Sequence, residues 1–261
     1  MLSFIVDLLF PEDCLLCGRA PGDGDGALGC IIPPRWPPWV STFFSRNFSL
    51  NLFRNIHVQA TVLCPACWLS LEPAFSQSRI RIDGEAIPLI SPFFTNDSLL
   101  SLIHALKFSG GRRVVPPVSW FMAQALRFNL NRSTTATPLV VPVPLHPSRE
   151  RGRGYNQAAL LGKSVAVELD LDFNPAVLLR KRRTKRQAQL DPPERVENVK
   201  DAFELSQRRC VAARDIVLVD DLVTSGETVR ACIPVLYDGA PSSVTILAAG
   251  RVSSLYPDSY V

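Results

Sequence analysis

The segment from Ile216 to Thr228 constrains this chain more than any other. Four apolar residues, Ile216, Val217, Leu218 and Val219, run directly into the acidic pair Asp220 and Asp221. Leu222 and Val223 then lead to Thr224, Ser225, Gly226, Glu227 and Thr228. An apolar run without polar alternation fits a strand buried on both faces, the condition of a parallel sheet covered by helices. Two adjacent carboxylates cannot stay in such a core, because burying an unpaired charge is strongly unfavourable. They must emerge at the carboxyl edge of the sheet, where open α/β folds bind ligands. Gly226 lets the backbone approach a ligand closely. Hydroxyls and free N–H groups at the start of a helix suit a phosphate. The segment therefore offers two acceptors for sugar hydroxyls or hydrated Mg²⁺, followed by a cradle for one phosphate. That layout can hold a ribose 5-phosphate.

The surrounding pattern agrees with an α/β fold. Leu99, Leu102, Ile103 and Leu106 recur at helical spacing, and Gly110 and Gly111 end that helix. Further helices are expected over about 117–128 and 156–169, and from Gly226 onward. Pro234 falls inside the last of these, where it removes a helical hydrogen bond and can bend the axis. Short apolar strands are expected at 139–143, 177–179, 202–205, 216–219 and 244–249. Strands alternating with helices imply a parallel sheet flanked on both faces. Residues 1–90 differ, with short motifs, many prolines and little periodicity, which divides the chain into 1–90 and 91–261. The stretch 31–62 holds Pro33, Pro34, Trp36, Pro37, Pro38 and Trp39 and reads as an irregular insertion.

Cysteine spacing gives the N-terminal region a reason to fold. Cys14 and Cys17, and Cys64 and Cys67, are two C-x-x-C pairs, and Gly18 permits a tight turn after the first. Two such knuckles can supply four thiolates to one tetrahedral Zn²⁺, which would be structural; the alternative is reduced structural cysteines. The 46 residues between the pairs do not forbid a shared site, since each doubling of a loop costs only about 0.6 kcal/mol. Cys30 is either a spare thiol or a substitute ligand. Cys210 and Cys232 read as small buried hydrophobes.

The net charge of +4 is too small to mark a nucleic-acid binder by itself. The cations concentrate in Arg180, Lys181, Arg182, Arg183, Lys185 and Arg186. Such a run is a solvated loop unless it lies beside a polyanion. No stretch approaches the roughly 20 apolar residues of a membrane span. Met1 to Phe10 reads as a short amphipathic helix rather than a signal peptide, so a cytoplasmic protein is expected.

The Ile216–Thr228 segment resembles the phosphoribosyl pyrophosphate (PRPP) binding motif of type I phosphoribosyltransferases. Four other stretches are similar to the ComF/GntX branch: Leu106 to Gly110, Val140 to His146, Arg153 to Gln157, and Thr184 through Gln187 to Arg195, Asn198 and Phe203. The resemblance implies a phosphoribosyltransferase-like domain over 91–261 behind a small zinc-ribbon-like segment. It implies that Asp220 and Asp221 hold the ribose hydroxyls, directly or through Mg²⁺, and that Thr224, Ser225, Gly226, Glu227 and Thr228 form the 5-phosphate loop. Pro144, Leu145, His146 and Arg153 would lie on the pyrophosphate side. The basic segment, with Arg183, Lys185, Gln187 and Arg195, would be the loop that closes over PRPP. Two functions stay open at this point. One is a PRPP-dependent transferase. The other is a non-catalytic, PRPP-responsive module in DNA uptake and competence, with single-stranded DNA and a helicase-like protein as partners.

Overall fold

The computed structural model describes residues 14–18, 63, 67–68, 70–74, 77–107, 111–129, 137–181 and 202–252. Its strands are β1 (Glu72–Pro73), β2 (Gln77–Ile82), β3 (Glu85–Ile90), β4 (Phe93–Phe94), β5 (Leu139–Pro142), β6 (Asp172–Phe173), β7 (Leu178–Arg180), β8 (Phe203–Leu205), β9 (Asp215–Val223) and β10 (Ser243–Arg251). Its α-helices are α1 (Asp97–Leu106), α2 (Val115–Asn129), α3 (Pro147–Arg153), α4 (Gln157–Leu169), α5 (Arg208–Val211) and α6 (Glu227–Tyr237), with a 3₁₀ turn at Gly111–Val114.

The main sheet is mixed but mostly parallel. β10 pairs in parallel with β9 from Ser243↔Asp215 to Arg251↔Val223. β9 pairs in parallel with β5, and β5 with β6. On its other side β10 pairs in parallel with β3 and then β4. Strand faces alternate as a doubly covered sheet requires. Val217, Val219 and Leu247 enter one core with α1, α2 and α4. Ile216, Leu218 and Ile246 enter the other with α6.

Helix ends follow local chemistry. Asn96 caps α1 by accepting from Leu99 N at 3.0 Å. Asn156 caps α4 by accepting from Ala158 N at 3.0 Å. α6 continues through Pro234 to Tyr237.

Two features differ from the expectation. β2 and β3 form a hairpin whose turn, Asp83–Gly84, has φ of +49° and +87°. This is the Asp-Gly turn that matches strand twist, and it follows a strand of strictly alternating burial, Gln77 to Ile82. The main sheet thus takes strands from both sides of residue 91. Conversely, the strands expected near 177–179 and 202–205 do not join that sheet. β7 and β8 pair with each other, antiparallel, as a separate ladder. No helix among the described residues is long and apolar enough to cross a membrane.

Candidate functional site

β9 continues beyond its expected end at Val219. Its pairing with β5 stops at Val219↔Pro142, whereas its pairing with β10 runs on to Val223. Asp220 and Asp221 therefore leave the core on the side where β5 has ended, each half-buried. A small cavity is lined by Asp220 and by Thr224, Gly226, Glu227 and Thr228. Asp220 and the glycine turn thus share one concavity at the carboxyl edge of the sheet. Gly226 has φ +82° and precedes α6 without a side-chain cap. Its left-handed backbone suits glycine, and the uncapped N–H groups that begin α6 are the kind that bind an anion. Glu227 Oε2 is buried without a hydrogen-bond partner among the described residues.

The electrostatics of the acid pair are uneven. Asp220 Oδ1 accepts from Asp221 N at 2.8 Å, and Asp221 Oδ1 from Leu222 N at 2.8 Å. Burial, then the charge of Asp221, push the Asp220 carboxyl up to about 8, against the opposing pull of that backbone N–H and of Lys107. Lys107 Nζ lies 3.2 Å from Asp221 Oδ2. Arg180 and Cys232 also feel Asp220. Burial lowers the Arg180 guanidinium, while burial and then the Asp220 charge raise the Cys232 thiol. Cys232 is fully buried, as expected, whereas Cys210 is half-buried and donates to Gln207 Oε1.

Pro144, Leu145 and His146 follow β5 at the same edge. Val143 N donates to Val219 O at 2.8 Å, which ties that loop to β9. His146 is engaged locally, where its Nδ1 accepts from Ser148 N at 3.2 Å and caps α3. Pro144 is buried and Leu145 half-buried. Arg153 donates to Gln157 Oε1 at 3.0 Å.

Arg180 departs from the loop reading of the basic run. It is the last residue of β7, buried, with its guanidinium 5.1 Å from the Phe203 ring. Lys181 pairs with Glu204 at 2.8 Å. Residues Arg183, Lys185, Gln187 and Arg195 lie outside the described residues.

Lys107 is the site neighbour that sequence reasoning leaves without a role. It stands within a stretch already noted for family likeness, yet nothing local connects it to Asp221.

In the N-terminal region, the sulfur atoms of Cys14, Cys17 and Cys67 lie within 4.8 Å of one another. Gly18, with φ +67°, donates its N–H to Cys14 O at 2.8 Å, closing the first knuckle. A trio of thiols at this spacing suits a soft divalent ion such as zinc. Cys64, Cys30 and the 31–62 insertion lie outside the described residues. The knuckle is seated on the main core: Cys14 is buried there, and the Trp68 ring sits 5.5 Å from Phe121 of α2. Asn96, the cap of α1, donates to Ser70 O at 2.8 Å.

A mostly parallel sheet flanked by helices, with an acid pair and a glycine turn at its carboxyl edge, defines an α/β protein with a candidate ligand site at that edge. The chain belongs to the ComF family. It is 33% identical over 198 residues to DNA utilization protein YhgH of Escherichia coli strain K12, covering 70% of this chain and 82% of that one. It is 36% identical over 92 residues to Competence protein F of Haemophilus influenzae, covering 35% of this chain and 40% of that one. Among solved structures it is similar to adenine phosphoribosyltransferase from Leishmania donovani, at 18% identity and a TM-score of 0.34, over 64% of this chain and 61% of that one. No family model matches the chain.

Proposed function

We propose that this chain binds PRPP with Mg²⁺ at the carboxyl edge of its sheet, as a phosphoribosyltransferase-type protein serving DNA uptake or use. One observation carries the reading: Asp220, half-buried at the head of the acid pair, and the Gly226 turn border the same cavity. Asp220 and Asp221 take the ribose hydroxyls, directly or through the ion, and Thr224 to Thr228 take the 5-phosphate. Pro144, Leu145, His146 and Arg153 face the pyrophosphate. Arg183, Lys185, Gln187 and Arg195 belong to the covering loop. Mg²⁺ fits the donor set, since it prefers carboxylate oxygen and is commonly held jointly by one or two carboxylates and substrate phosphates. The ion would supply charge neutralisation at the departing pyrophosphate. The DNA link is carried to this chain from the names of its relatives.

Calorimetry with Mg²⁺–PRPP tests the site. Asp221→Ala is expected to weaken binding about 50-fold, the cost of losing charged hydrogen bonds to the ligand. Unchanged affinity would remove the ribose role.

Zn²⁺ is assigned to Cys14, Cys17, Cys67 and Cys64, because three of these thiols already converge. Elemental analysis should find about one zinc per chain, as one tetrahedral thiolate site requires. Cys14→Ser should lower Tm by about 10 °C, because metal binding to such a segment is folding free energy. A wild-type chain purified without zinc, or a Cys14→Ser variant that keeps the wild-type Tm, would end this assignment.

A further inference from the structure

The Arg153–Gln157 element carries family likeness, yet its side chains make structural contacts that converge on one corner of the site. Gly154, with φ +80°, ends α3 and turns the chain. Asn156 caps α4 and donates from Nδ2 to Val143 O at 3.0 Å, fastening the element to the end of β5. Between them Tyr155 is buried, and its hydroxyl donates to Leu106 O at 2.7 Å. Leu106 is the last residue of α1, whose terminal carbonyls lack intrahelical partners. The next residue is Lys107, the cation on Asp221.

We propose that Tyr155 is a positioning residue of the sugar-phosphate site: its hydroxyl holds the end of α1 so that Lys107 reaches Asp221. The proposal rests on the ribose-binding reading of the acid pair. Two further contacts define the same corner. Gly111 packs so closely against Ala105 and Leu106 that a Cβ there would lie 1.8 Å from Ala105 O. Arg112 then places its guanidinium 4.9 Å from the centre of the Tyr155 ring. The ring is referenced to the sheet through Asn156 and β5, and it passes that reference to α1. A lysine side chain 29% exposed has many rotamers open to it. Fixing its backbone origin limits which of them meet Asp221, and so fixes the carboxylate that the ribose must meet. A buried tyrosine hydroxyl commonly finds some partner for reasons of stability alone. The choice of partner, one residue from the only described cation in a salt bridge with the acid pair, is what points to the site.

Calorimetry with Mg²⁺–PRPP on the full chain and on Tyr155→Phe, Lys107→Met and the double variant tests this role. Tyr155→Phe keeps the ring and its contact with Arg112. It should weaken affinity about fivefold, the scale of one hydrogen bond. Lys107→Met should weaken it about tenfold, and the double variant no more than Lys107→Met, because residues acting through one contact are not additive. A purely structural tyrosine gives a different result: the same fivefold loss with or without Lys107, or no loss in Tyr155→Phe. Either overturns the proposal. If circular dichroism shows Tyr155→Phe unfolded, Lys107→Met alone decides, and wild-type affinity in that variant overturns it. A wild-type chain that binds no Mg²⁺–PRPP removes the ribose reading and this role together. Additive losses in a chain that does bind remove the role and leave the reading intact.

Discussion

Gly111→Ala should destabilise the protein by about 3 kcal/mol or more, the upper range for forcing an atom into packed structure. The added Cβ would meet Ala105 O at 1.8 Å, Ala105 C at 2.4 Å and Leu106 Cα at 2.6 Å. All three are backbone atoms of the last turn of α1, so no side chain can swing away to relieve the clash. Either the chain entering the 3₁₀ turn or the end of α1 must shift. For a chain of this size the loss corresponds to a fall in Tm of about 6–12 °C. Gly152 provides the control: it lies in α3, and a Cβ there meets nothing within 4 Å. Gly152→Ala should be neutral or stabilising by up to about 1 kcal/mol, because alanine is the better helix former. Thermal melts of the two variants decide the matter. Equal Tm values would mean that the α1 corner yields freely.

The second large effect concerns pH. Burial and the Asp221 charge hold Asp220 up at about 8, against about 3.9 in an unfolded chain. The folded state therefore keeps a proton that the unfolded state has already lost. Stability from this group is complete below the unfolded value and is lost as pH rises through the folded one. Because Asp220 titrates together with Asp221, the realised loss between about pH 5 and 8 should be about 1–3 kcal/mol. Asp220→Asn removes the titration while its side-chain oxygen can still accept from Asp221 N. Melts of both proteins without Mg²⁺ or PRPP should show the variant gaining on wild type as pH rises, by about 3–8 °C at the alkaline end. A Tm difference that stays constant over that range would show that Asp220 is ionised throughout. The direction fits a binding edge, where carboxylates are kept for a ligand at some cost to the free protein.

Much of this is legible along the chain, and the reasons are local. The apolar strand, the acids behind it and the glycine turn are consecutive, so their order alone brings the turn back near Asp220. The helices from 97 and 157 announce themselves by apolar spacing, while their caps Asn96 and Asn156 come from the structure. The β2–β3 hairpin is equally readable in principle. Gln77 to Ile82 alternates and Asp83–Gly84 is a strong turn signal, but the irregular, proline-rich stretch before it masks the change of pattern. For His146, position after a strand suggests ligand contact, whereas its Nδ1 is engaged by Ser148. Arg180 looks like the start of a solvated run because charge is usually exposed; its pairing with Phe203 buries it instead.

By itself the sequence determined the chemistry of the edge: which strand is buried, that two carboxylates follow it, and that a glycine-containing turn opens the next helix. It also placed two C-x-x-C pairs in the N-terminal region, which left a shared metal site and reduced structural cysteines both open. Only the tertiary structure decided which groups stand around those carboxylates. Lys107 on Asp221, Tyr155 on Leu106 and Cys232 beside Asp220 join residues from different elements. Such neighbours are set by how α1, α4 and α6 pack on the two faces of the sheet, and side-chain packing at long sequence separation leaves no periodic trace to read. The same packing, by partly burying Asp220 beside Asp221, raises its proton affinity, which the residue type alone does not determine.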